Sequence, residues 1–284
     1  MFCVQIFIQA SGFSGKRIKY FRFPAAFGEK KMNQNDTSLF RGKSSFYAAG
    51  RPRYAPGLLD YLEKEERLCG KTVADIGSGT GIFSAQLLER GNTVYGIEPD
   101  DGMRAEAERS LGECERFSSI RGSAESTGLP EASVDAVTAA QAFHWFDPAA
   151  FREECRRILR PGGKVFLLWN NNGPETERDR EWNREEKRIF DTCCPPLPPG
   201  RAGRNIPEAV GNFFKTYEEF CFENVLKRTK EQYIAACLSV SCALRKGEEG
   251  FDAFVHELER FFDRRSDGGI LVSQARSVLY AGYV

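Results

Sequence analysis

The stretch VADIGSGTG, Val73 to Gly81, limits the fold more than any other part of the chain. An apolar run carries Asp75 near its end, Gly77, Gly79 and Gly81 follow at alternate positions, and then the helical GIFSAQLLERG begins. Glycine belongs where the backbone takes positive φ or where a ligand lies against the main chain. A strand, a glycine turn and a helix in that order open a parallel α/β unit, and open α/β sheets bind ligands at the carboxyl ends of their strands. A second strand, NTVYGIEPD, ends on Glu98 about twenty residues past the glycines, where an acid accepts hydrogen bonds from ribose hydroxyls.

The alternation continues downstream. RFSSIRG, SVDAVTAAQA and KVFLLWN read as strands, and GMRAEAERSLGE and DPAAFREECRRILRPGG as the helices between them, the latter with Asp147 as its N-cap. This predicts a doubly wound, mostly parallel seven-stranded sheet with an antiparallel C-terminal edge strand. After Asn170 the pattern changes: a charged helix and a proline-rich turn suggest a helical insertion over about 171–211. FFKTYEEFCFENVLK then reads as a long strand, two helical stretches follow, and ARSVLYAGYV closes the chain as another strand. We expect these last strands to return to the same sheet as an edge pair, so that residues 37–284 form one domain. Residues 1–36 are expected to be a poorly ordered extension. The first thirty-one are basic and aromatic without clear period, their charges follow the apolar stretch, unlike a signal peptide, and Met32 is a plausible alternative start.

With 41% hydrophobic and 28% charged residues in 284, the chain can bury a sizeable core. Lys+Arg equals Asp+Glu at 40 each, so there is no basic excess of the kind a nucleic-acid binder carries. That favours a small-molecule substrate. The nine cysteines have no CxxC spacing and read as reduced thiols, and two histidines are too few for most zinc sites, so no metal is expected. No apolar run approaches the ~20 residues that span a bilayer. The expectation is a cytoplasmic protein with no membrane and no protein partner evident.

The ligand class follows from spacing. Dinucleotide folds use G-x-G-x-x-G with pyrophosphate on the helix N-terminus. Here the third glycine comes one residue earlier and an acid precedes the loop. An acid there repels pyrophosphate but suits a cationic amino-acid group, which points to S-adenosylmethionine.

VADIGSGTG, GIEPD, GSAESTGLPEASVDAVTAAQAFHWFD and LRPGGKVFLLW together resemble the ordered motifs of class I S-adenosylmethionine-dependent methyltransferases. More narrowly they resemble the small-molecule group that includes the trans-aconitate methyltransferases. FYAAGRPRYAPGLLDYL is similar to that group's Y-x-x-x-R-P-x-Y-P signature, with Tyr47, Arg51, Pro52 and Tyr54 matching and Ala55 departing from its proline. The resemblance implies that Asp75, Gly77, Ser78, Gly79 and Gly81 hold the methionine part of the cofactor, with Tyr54 close by. It implies Glu98 for the ribose, Pro99 against the adenine, Ala124 and Glu125 at the adenine edge, and Gln141 toward the methionine end.

The acceptor side is less defined. His144 lies just after the fourth strand and can be a general base, a hydrogen-bond partner of the acceptor, or a packed ring beside Trp145. Tyr47, Phe143, Trp145 and Trp169 are candidates to line an aromatic pocket, with core packing as the alternative for the last three. Arg51 can clamp an acceptor carboxylate, serve the cofactor's own, or stand exposed. Asn170 to Asn172 lie near the same mouth, and Pro174 to Arg204 is a candidate lid. The expected reaction is methyl transfer to an acceptor oxygen, carboxylate or hydroxyl, by in-line displacement. A nicotinamide-dependent oxidoreductase and a non-catalytic cofactor-binding protein are the alternatives; a nucleic-acid methyltransferase fits less well.

Overall fold

The computed structural model describes residues 4–7, 16–21, 43–172, 176–195, 206–240 and 242–284. Its sheet has nine strands in the order β1-β2-β8-β9-β7-β6-β3-β4-β5. These are β1 (Val4–Phe7), β2 (Lys16–Phe21), β3 (Thr72–Ile76), β4 (Thr93–Ile97), β5 (Phe117–Ile120), β6 (Val134–Ala140), β7 (Leu159–Asn172), β8 (Thr216–Arg228) and β9 (Leu271–Tyr283). The ladders β3·β4, β4·β5, β3·β6 and β6·β7 are parallel. The C-terminal strand β9 is the antiparallel one and pairs with both β7 and β8. The expected doubly wound seven-stranded sheet with a closing β8/β9 pair is present, and β9 sits one place in from β8.

Helices α1 (Ser44–Gly50), α2 (Pro56–Lys64), α3 (Ile82–Glu89), α4 (Asp101–Leu111) and α5 (Pro148–Ile158) precede β7. Between β7 and β8 come α6 (Glu177–Cys193) and α7 (Ile206–Phe213), and between β8 and β9 come α8 (Lys230–Leu238) and α9 (Phe251–Arg265). Strand alternation sorts the core into two layers. In β7, Val165, Leu167 and Trp169 join the layer with α5 and α7, while Phe166 and Leu168 join the layer with α2 and α3. Both faces are covered, as a parallel sheet requires.

A third, smaller core is a cap. Trp182 of α6 packs with Tyr233 and Leu238 of α8 and with Phe254, Leu258 and Phe262 of α9. Capping boxes at Thr176 and Thr229 start α6 and α8 by satisfying orphan amides. The Lys43 ammonium donates to the Val240 and Ala243 carbonyls at 2.8 and 2.7 Å, which ties the start of α1 to the cap. The insertion therefore divides: α6 joins the cap, while α7 packs on α5, with Phe213 stacked on Phe151 at 5.2 Å. Of the candidate lid, only α6 and its flanks are described; 174–175 and 196–204 lie outside the described residues.

Within the N-terminal segment, residues 4–7 and 16–21 are described. β1 and β2 form an antiparallel hairpin, and β2 pairs along β8 from Lys16↔Cys221 to Phe21↔Thr216. The outer edge of β8 offers open ladder groups, and strand addition satisfies them.

Candidate functional site

The segment Arg51–Ala55 is held over the sheet by amide clamps. The Tyr54 N–H donates to Gln86 Oε1 at 2.9 Å while Gln86 Nε2 donates to the Tyr54 carbonyl at 3.0 Å, a side chain acting as a strand partner. The Ala55 N–H donates to Ser277 Oγ at 2.9 Å, and Asn224 Nδ2 donates to the Arg53 carbonyl at 2.9 Å. Ser277 Oγ in turn donates to Asn170 Oδ1 at 2.6 Å. Gln86, Asn224 and Ser277 are buried, so these bonds are made where water does not compete.

Beneath this segment runs the glycine loop. Gly77, Gly79 and Gly81 take φ of +67°, +56° and +82°, the left-handed region where glycine carries no penalty. The Gly77 and Ser78 amides donate to the Ile97 carbonyl at the end of β4. Glu98, next along, accepts from the Gly79 N–H at 2.9 Å and from the Asp100 N–H at 3.0 Å. Each carboxylate oxygen keeps a second lone pair for a ligand hydroxyl. Burial raises the Glu98 pKa, and the two amides oppose that by favouring the charged form.

Asp75 differs from expectation. The sequence places it against a ligand ammonium, but it is wholly buried, with Oδ2 accepting from Ser84 Oγ at 2.7 Å and Oδ1 from Thr138 Oγ1 at 2.8 Å. Strand alternation is the reason. Asp75 shares a face with Val73, under α3, and α3 supplies Ser84. It is a strut beneath the loop. Burial raises its pKa from 3.8 to about 6, the two hydroxyls opposing. A folded-state pKa above the unfolded one makes a contribution to stability that is full below the unfolded value and lost as pH rises through the folded one. Relative to Asp75→Asn, the wild type should therefore lose about 3 kcal/mol of unfolding free energy between about pH 4 and about pH 7. Urea titrations across that range read it directly, and a flat difference would contradict the buried ionisable carboxyl.

The loop, the clamped segment and the carboxyl ends of β6, β7 and β8 border a cavity of about 190 Å³. Tyr47, Arg51, Tyr54, Gly77, Ser78, Gly79 and Gln141 line it, as the sequence leads one to expect, and so do Thr80, Asn170 to Asn172 and Arg228. Gln141 holds a left-handed φ of +57° and donates from Nε2 to the Asn170 carbonyl at 2.9 Å. A non-glycine residue in that region is strained, and such strain gathers at functional sites.

The aromatic candidates divide. Tyr47 faces the cavity, but Phe143 and Trp169 are core: Phe143 is fully buried against Phe146, Phe151, Trp169 and Phe213. α7 brings Phe213 onto that face and closes it. Trp145 is 43% exposed and lies outside the cavity lining. His144, on the 3-10 turn Phe143–Trp145, sets its ring 5.0 Å from that of Trp145, also outside the lining. Ala124 is buried in the core, and Glu125 accepts from the Asp147 N–H at 2.9 Å, tying its loop to the start of α5. Glu154 secures the next turn, accepting from the Thr127 N–H at 2.8 Å and its hydroxyl at 2.5 Å. Those bonds and the Arg157 guanidinium outweigh burial and hold the Glu154 pKa at about 2.

Residues 74–167 match the family described as Methyltransferase domain, and they run from β3 into β7, taking in the glycine loop and Glu98. That match agrees with the methyltransferase resemblance of the motifs. Among similar proteins, an uncharacterised methyltransferase of Mycobacterium tuberculosis is 38% identical over 143 residues, 49% of this chain and 55% of that protein. A ubiquinone biosynthesis O-methyltransferase of Pseudomonas fluorescens is 32% identical over 124 residues, 42% of this chain and 53% of that one. The chain spans about half the length of the curated relatives it matches. A solved structure from Anaeromyxobacter dehalogenans, provisionally described as a type II methyltransferase, aligns with a TM-score of 0.59 over 82% of this chain and 97% of that one. At 23% identity this likeness shows the fold.

The cofactor of such a methyltransferase domain is S-adenosylmethionine, and the residues present fit it. Thr80 Oγ1 and Arg51 Nε, both on cavity-lining residues, are buried without a hydrogen-bond partner among the described residues. Beside them, a Cβ built on Gly79 has its nearest neighbour at 4.0 Å, on Tyr47. The glycine leaves room for a ligand where other residues would fill it.

Proposed function

We propose that this methyltransferase domain moves a methyl group from S-adenosylmethionine to an oxygen of a small-molecule acceptor. The observation that carries this is the cavity joining the glycine loop to the ends of β6, β7 and β8. Its confined size suits a small reacting group, and the Arg51–Ala55 segment forms part of its wall.

S-adenosylmethionine held by these residues would supply a sulfonium-bound methyl to an acceptor lone pair, the C–S electron pair staying with sulfur. Glu98 accepts from the ribose hydroxyls with the lone pairs its two amides leave open. Gly77 and Gly79 give the methionine part a surface without side chains, and Ser78, Thr80 and Gln141 supply polar atoms beside it. The adenine would lie toward Pro99 and the Ala124–Glu125 loop, with Ala124 contributing backbone because its side chain is in the core. The enzyme's main contribution is orientation, which is worth roughly 7–11 kcal/mol in well-aligned systems. A carboxylate acceptor needs no base, whereas a hydroxyl must lose its proton. His144 is assigned first as an acceptor hydrogen-bond partner and only second as a base, because methyl transfer to an ionised acceptor needs no base; its place outside the cavity lining requires the acceptor to extend toward the turn after β6.

The oxygen assignment draws support from the likeness to a ubiquinone biosynthesis O-methyltransferase. It is tested by incubating the protein and cofactor with a panel of small acids, phenols and amines and measuring S-adenosylhomocysteine by mass spectrometry. Product formation with an oxygen acceptor is expected. Turnover confined to amines would overturn the oxygen assignment, and cofactor binding with no turnover across the panel would favour a regulatory role.

A further inference from the structure

We infer that Arg228 and Arg51 form an oxyanion subsite for the acceptor, so that the acceptor carries an anionic group besides the atom that is methylated. The inference rests on the methyl-transfer reading above and names the substrate class for that site.

Among the described residues lining the cavity, Arg51 and Arg228 carry the formal charge and no carboxylate faces them there. Neither guanidinium makes an ion pair among the described residues, and Arg51 Nε is buried without a hydrogen bond. Arg51 lies over the Tyr47 ring at 4.9 Å, which orients it without neutralising it. The clamped Arg51–Ala55 segment makes that position rigid before any ligand arrives. Burial lowers the Arg228 pKa and Arg51 adds to that effect, while Cys237, Glu186 and Tyr233 oppose it. Glu186 is engaged by the Tyr233 hydroxyl at 2.9 Å and does not bridge to Arg228. Two partly buried guanidinium forks with open donors match a carboxylate or a phosphate, which they hold in bidentate fashion.

The position of Arg228 turns the subsite toward the acceptor, while Arg51, over the Tyr47 ring near Gly79, joins it to the cofactor end of the cavity. Arg228 ends β8, four places across the sheet from β3 and on the side away from Glu98 of β4. It therefore enters the cavity from the flank opposite the ribose acid. Guanidinium bonds to the attacking oxygen would draw on the lone pair that must reach the methyl carbon. The bound anion is therefore displaced from the reacting atom.

The test uses the full chain saturated with S-adenosylhomocysteine. Malonate and inorganic phosphate are titrated separately at constant ionic strength, with the thermal midpoint as readout. A saturable rise with at least one of them is expected in the wild type, and which one acts tells a carboxylate from a phosphate acceptor. Arg228→Met and Arg51→Met should each weaken it about tenfold, with Arg228→Lys intermediate, the loss expected for one charged hydrogen-bonding partner. S-adenosylhomocysteine affinity should change less than about threefold in Arg228→Met. No saturable effect of either anion would overturn the inference. So would a large loss of S-adenosylhomocysteine affinity in Arg228→Met that spares 5′-methylthioadenosine, because that product lacks the methionine carboxylate. A wild type that fails to bind S-adenosylhomocysteine would remove the underlying reading, and this inference with it.

Discussion

Asparagine at position 79 should leave the protein folded and reduce S-adenosylhomocysteine affinity by at least about a hundredfold, about 2.7 kcal/mol. The choice of residue separates two effects. Gly79 has a φ of +56°, and asparagine is among the few side chains that enter the left-handed region at modest cost. A Cβ there meets nothing nearer than Tyr47 Cε1 at 4.0 Å, so the fold has room for it. The Gly79 N–H keeps its bond to Glu98. What the new side chain occupies is the cavity, on the surface where the cofactor must lie against bare backbone. Calorimetric titration reads the affinity and thermal unfolding reads the fold. Retained affinity in a folded variant would mean that the ligand lies elsewhere.

The same substitution two residues earlier should have the opposite balance. Gly77 has a φ of +67°, so asparagine is again tolerated by the backbone. Its Cβ, however, would lie 2.6 Å from Ala142 Cβ and 3.3 Å from Phe146 Cζ. Both neighbours are buried in the core beside α5, where relief requires moving packed groups. Overpacking of this kind costs about 1–3 kcal/mol, and with a polar group left in an apolar site the total should approach the upper end. For a domain of this size that lowers the unfolding midpoint by roughly 6–12 °C. An unchanged midpoint in Gly77→Asn would contradict the close approach of loop and core.

What could be read in advance was local chemistry in a known order. The glycine turn and Glu98 announce themselves because each sits at a strand end within one βαβ unit, where pattern and position coincide. The burial of Asp75 needed the register of one strand and a serine nine residues on, and alternation from Val73 contains half of that answer. Phe143 and Trp169 looked like pocket walls because α7, which covers them, arrives some forty residues after Trp169 and packs on α5 by tertiary contact. Arg228 belongs to no motif. It acquires a role only because β8 runs parallel to β7 with β9 between them, which brings its carboxyl end to the same crevice. The pairing of β2 with β8 is illegible for a similar reason, since strand addition at an edge is written in the partner's open ladder and not in the added segment.

The central claim is that the glycine loop, Glu98 and the clamped Arg51–Ala55 segment form a seat for S-adenosylmethionine. Isothermal titration of the full chain with S-adenosylhomocysteine tests it most directly. Binding at about one ligand per chain with a dissociation constant of about 10 μM or tighter is the predicted result. No heat of binding in a sample shown to be folded by circular dichroism, or binding of reduced nicotinamide dinucleotide in its place, would contradict it.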